Sequence, residues 1–89
     1  MYEIITKDGC TLRHKESGIP VEKGRVYSTG DEFGEGETYL VTGGCPNLRN
    51  PASSGKVWCY HIDECDGSES DWQREFYPSV FNFVWVRDN

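Results

Sequence analysis

Long apolar runs are missing from this 89-residue chain. None approaches the ~20 residues that a membrane-spanning helix needs, so no membrane partner is expected. The start, Met-Tyr-Glu-Ile-Ile-Thr-Lys-Asp-Gly, lacks the apolar core of a secretory leader, and the expected location is the cytoplasm. Basic excess is missing as well. Nine Lys and Arg face fifteen Asp and Glu, a formal net charge of −6. Ordinary nucleic-acid binding needs the opposite balance, because it works by displacing counterions with basic groups. No stretch of about eleven residues carries apolar side chains at a 3.6-residue period, which excludes a long amphipathic helix. None of Asn47, Asn50, Asn82 and Asn89 starts a glycosylation sequon.

Familiar chemical motifs are also lacking. Cys10-x3-His14 and Cys59-x-His61-x3-Cys65 offer zinc-type ligands, but there is no Cys-x2-Cys knuckle. A structural zinc module therefore stands only as an alternative reading. The bland reading makes Cys59 a small core residue and His61 a partly exposed strand residue. Ser53-Ser54-Gly55-Lys56 resembles the end of a phosphate-binding loop. Asn50 stands where that motif needs glycine and Val57 where it needs Ser or Thr, so the motif is rejected. Asp63-Glu64-Cys65-Asp66-Gly67 misses the alternation of a calcium loop. Nothing places His14 or His61 beside a cysteine as a base, so no catalytic residue is assigned and no enzyme is expected. No cofactor is implied. The four cysteines (Cys10, Cys45, Cys59, Cys65) are even in number, as two disulfides would require. Without a secretory leader the expectation is reduced thiols.

What is present is strand and turn chemistry. The chain is long enough for one domain, residues 1–89, with one modest core. Its apolar weight sits in large side chains: Trp58, Trp72, Trp85, Tyr39, Tyr60, Phe76, Phe81 and Phe83. Strands are expected over residues 2–6, 10–14, 25–28, 37–42, 56–62, 72–77 and 83–87. Asp8-Gly9 makes a hairpin turn between the first two, Gly43-Gly44 ends the fourth, and a helical turn over residues 79–82 follows Pro78. In the fourth strand Tyr39 and Val41 face one way. In the fifth, Val57, Cys59 and His61 face one way and Trp58, Tyr60 and Ile62 the other. Residues 45–55 form the longest loop. The fold class expected is all-β: a small SH3-like or related barrel or sandwich of five to seven short antiparallel strands.

The most specific feature is acidity. Asp31, Glu32, Glu35 and Glu37 lie in one stretch, and Asp63, Glu64, Asp66, Glu69 and Asp71 in another. Neither stretch holds a Lys or Arg, whereas five of the nine basic residues precede residue 26. Brought together, the two stretches would form a negative face for a basic protein. Kept apart, they are two solvated loops that aid solubility. Trp58, Tyr60, Trp72 and Tyr77 are open to two readings, a stacking platform for bases or packing within a small barrel.

The strings Tyr39-Leu40-Val41-Thr42-Gly43-Gly44, Ser53-Ser54-Gly55-Lys56-Val57-Trp58 and Arg74-Glu75-Phe76-Tyr77-Pro78-Ser79-Val80-Phe81, with Pro46 and Trp85, resemble a family of small proteins of tailed bacteriophages and prophages. The resemblance covers about residues 25–86. It implies a short β-barrel-like domain and carries over no functional residue. It also implies a host protein as partner, bound and inhibited in the host cytoplasm, for example a defence or nucleic-acid-handling protein. The function expected is thus a small acidic interaction module. A nucleic-acid-binding barrel, using the aromatics and the basic first 25 residues, is the alternative.

Overall fold

The computed structural model describes residues 2–29, 36–47, 49, 55–63 and 65–88. The first hairpin follows from its turn. Asp8 and Gly9 both take positive φ, 52° and 78°, which suits a two-residue turn whose twist matches that of the flanking strands. It joins β1 (Thr6–Lys7) to β2 (Cys10–His14), with Lys7 opposite Cys10. The far edge of β2 pairs with β7 (Phe83–Arg87), from Cys10↔Arg87 to His14↔Phe83. These three strands form one antiparallel sheet.

The second sheet holds β3 (Arg25–Ser28), β4 (Thr38–Pro46), β5 (Gly55–Ile62) and β6 (Arg74–Phe76), in that order. The protein is therefore all-β, with two antiparallel sheets of three and four strands. No ladder among the described residues joins the two sheets into one cylinder.

The core lies between contributions from both sheets: Ile5, Cys10, Leu12, Val21, Tyr39, Val41, Val57, Cys59, Phe81, Phe83 and Trp85. Its rings meet mostly edge to face. Tyr39 packs so against Phe76 and Phe81, with centroids 5.1 and 5.8 Å apart. A 3-10 turn, Pro78–Phe81, drops Phe81 into this cluster and ends at Asn82 in the left-handed region. Proline at the start of the turn has no N–H to lose there.

Several sequence expectations change. The opening strand does not match residues 2–6: β1 begins at Thr6, and among the described residues before it Ile4 makes an isolated bridge to Glu22. Gly43-Gly44 does not end β4, which runs on to Pro46, so the loop expected over residues 45–55 loses both its ends to strands. Trp72 and Gln73 precede β6 rather than open it. Of the eight large aromatics, Tyr39, Phe81, Phe83 and Trp85 are buried in the core and four stand at or outside its margin. Trp58 and Tyr60 are only partly buried, Trp72 is 72% exposed, and Phe76 packs against the core from its margin.

Candidate functional site

Strand alternation sets the two faces of the four-stranded sheet. Tyr39 pairs with Tyr27 and His61, and Val41 with Cys59; these face the core. The intervening residues face outward. Leu40 pairs with Val26 on one side and Tyr60 on the other, and Thr38 pairs with Ser28 and Ile62. Trp58 lies opposite Gly43 and Glu75 on this same outer face. Val26, Leu40, Tyr60, Ile62 and Trp58 thus form an apolar band across the sheet. The alternation of β5 alone placed Trp58 and Tyr60 opposite Val57 and Cys59.

One end of this sheet is acidic. Thr38↔Ile62 makes Glu37 and Asp63 neighbours across the β4–β5 pair. The bridge Ile62↔Glu69, with the Ser70 N–H donating to the His61 carbonyl at 2.9 Å, brings the second acidic stretch back to the same end. Glu37, Asp63, Asp66, Glu69 and Asp71 are all exposed. Asp31, Glu32, Glu35 and Glu64 lie outside the described residues.

The acids at this pole also organise it. The Glu37 N–H donates to Thr29 Oγ1 at 2.9 Å, and the Glu37 carboxylate accepts the Tyr39 hydroxyl. Burial, with that hydrogen bond second, pushes Tyr39 up to about 12. Asp63 Oδ1 accepts the Cys65 N–H at 2.8 Å, and Asp66 Oδ1 accepts that of Ser68 at 2.8 Å. Hydrogen bonds from Ser68 hold the Asp66 carboxyl below the usual carboxylate range. These bonds leave the loop's charge facing water, while Trp72 stands exposed beside it.

The opposite end of the same hairpin carries cations on rings. Lys56 Nζ sits 3.8 Å from the centroid of Tyr77, which is 54% exposed, and Lys7 Nζ sits 5.1 Å from that of Trp58. The sheet therefore runs from an acidic end, where Glu69 stands in line with outward Ile62, across an outward apolar band, to a pair of lysine–aromatic contacts.

The remaining candidates go elsewhere. All four cysteines are free thiols; Cys10 and Cys59 are buried and Cys65 exposed. Burial pushes the Cys59 thiol up to about 12, so it is neither a ready nucleophile nor a ready ligand. His61 lies edge-on against Tyr39, and His14 packs between Tyr27 and Phe83. Among the described residues no three His, Cys, Asp or Glu side chains converge to hold a metal. Lys56 enters β5 directly after Gly55, and Ser53 and Ser54 lie outside the described residues. No described helix is long and apolar enough to cross a membrane.

No protein-family model, no curated protein and no solved structure matches the chain.

Proposed function

We propose that the chain is a non-enzymatic interaction module that docks a basic protein on the outer face of its four-stranded sheet, a host protein if the phage resemblance holds. The observation that carries this reading is the register that gathers Glu37, Asp63 and Glu69 at one end of that sheet, Glu69 in line with outward Ile62 and Glu37 and Asp63 at its rim. A basic partner segment meets the pole by charge and the Val26–Leu40–Tyr60 band by apolar burial. Charge contacts at such a rim guide encounter and fix register, while buried aromatics supply most of the affinity. A pull-down from host-cell lysate, run in parallel with wild type and the Asp63→Asn/Glu69→Gln protein, tests it. The captured protein is expected to fade in the variant and at high salt, since exposed charge contacts are screened. Equal capture by both proteins at both salt levels overturns the acidic-pole reading.

A second reading rests on Trp58 and Tyr60 facing outward, with Lys7 and Lys56 seated on Trp58 and Tyr77. Rings so placed can stack bases of a single strand. Fluorescence anisotropy with single-stranded and duplex probes at low salt separates the two readings, and absence of binding there removes the second.

A further inference from the structure

A groove of about 250 Å³ opens between the Glu3–Lys7 stretch and the far half of β4. Two of the chain's four lysines, Lys7 and Lys23, line it. Neither ammonium has a carboxylate partner among the described residues, whereas nearby Arg25 pairs with Glu22 at 2.5 Å. Lys7 leans on Trp58 instead, and the Lys23 N–H donates to the Glu3 carbonyl at 2.6 Å, tying the groove's margins together. Glu3 is the single acid in the lining. In a chain of net charge −6, this is a local excess of positive charge.

The groove's other wall is a β-bulge. The β4–β5 register slips between Val41 and Gly43, so Thr42 and Gly43 together oppose Trp58. A bulge leaves one residue out of the ladder, with its backbone groups free to meet something else, and such sites recur beside binding centres. β3 pairs only with Thr38–Val41, so this half of β4 has β5 as its one strand partner among the described residues. Thr6 and Thr42 also line the groove; the Thr42 hydroxyl donates to the Trp58 carbonyl at 3.4 Å, which braces the bulge.

We propose that this groove is an oxyanion site, taking the carboxylate or phosphate group of a small ligand between Lys7 and Lys23. Charge-assisted bonds from the two ammonium groups supply the attraction, and the bulge backbone supplies orientation. The volume equals roughly eight waters at about 30 Å³ each, room for a short acid or a phosphate monoester.

The test is an amide and indole NMR titration of the full chain. Inorganic phosphate and acetate are added separately, and sodium chloride at matched ionic strength is the control. Saturable shifts at Thr6, Thr42, Gly43 and the Trp58 indole are expected with at least one oxyanion and not with chloride. The ion that saturates at lower concentration identifies the source, phosphate or carboxylate. The Lys7→Gln/Lys23→Gln protein is expected to bind at least about tenfold more weakly, and the Lys23→Arg protein to retain binding. Both lysines are exposed, so the variant spectra should overlay elsewhere. Shifts that stay linear, that chloride reproduces, or that survive the double substitution overturn the site. The Asp63→Asn/Glu69→Gln protein should titrate as wild type does, so failure here and failure of the docking surface are told apart.

Discussion

Cys59 shows at residue scale how burial removes a chemistry that spacing offered. Its place between Trp58 and Tyr60 on β5 turns the thiol to the core, where it is fully buried with Arg74 opposite on β6. Burial penalises the thiolate, and the thiol's pKa moves from 9.0 to about 12. Its folded value therefore lies above its unfolded one. The stability this contributes is complete below pH 9 and is lost as pH climbs towards 12. Tyr39, raised from 10.0 to about 12, adds a second loss that begins near pH 10. Urea midpoints measured from pH 8 to 11 should fall, and the Cys59→Ala protein should show a flatter curve between pH 9 and 10. A variant curve parallel to wild type would show that the thiol does not titrate with unfolding. The Cys-x-His pair was visible in the sequence, and so was its shared strand face. The reading of Cys59 as a small core residue and His61 as a partly exposed one holds, and the pairing of β5 with its neighbours is what buries that face.

At the scale of elements, strands marked by local chemistry were legible and those set by distant contacts were not. β2, β3 and β7 stand where alternation and turn residues put them, because Asp8-Gly9 and Pro78 act through neighbours in sequence. β4 does not. Gly-Gly reads as a strand terminator, yet the strand passes through both glycines. The reason lies at the other end of the chain. A Cβ on Gly44 would sit 2.8 Å from Trp85 Cζ2 and 2.4 Å from the Lys56 carbonyl oxygen, so β7 can seat its tryptophan only where β4 has no side chain. Gly44→Ala should cost about 3 kcal/mol, the upper end for overpacking, because backbone as well as a buried ring would have to move. Thermal or urea unfolding measures this, and a loss under about 1 kcal/mol would mean that the sheets part easily there. The same limit applies to the site. The nine acids were legible as residues, but the meeting of Glu37, Asp63 and Glu69 at one end depends on the Thr38↔Ile62 register and the Ile62↔Glu69 bridge, which no local pattern announces.

For the whole molecule, charge placement sets stability against binding. A net charge of −6 already favours expansion, and gathering Glu37, Asp63 and Glu69 at one end of a sheet adds local repulsion that spreading them would avoid. Like charges on neighbouring strands destabilise, by a few tenths of a kcal/mol to about 1 each. Glu69→Lys replaces repulsion with attraction to the acids gathered at this end of the sheet, and the Glu69 side chain is exposed. It should therefore stabilise the fold by about 0.5 kcal/mol at low salt. The gain should vanish at about 1 M salt, where the screening length is ~3 Å. Wild type should itself gain stability with salt over the same range. The docking role demands the reverse response, with the Glu69→Lys protein holding a basic partner more weakly while it resists denaturant better. A variant that gains stability and keeps its partner would assign the acids to solubility alone. One that loses stability at low salt would show that the acids at this pole are held apart rather than together.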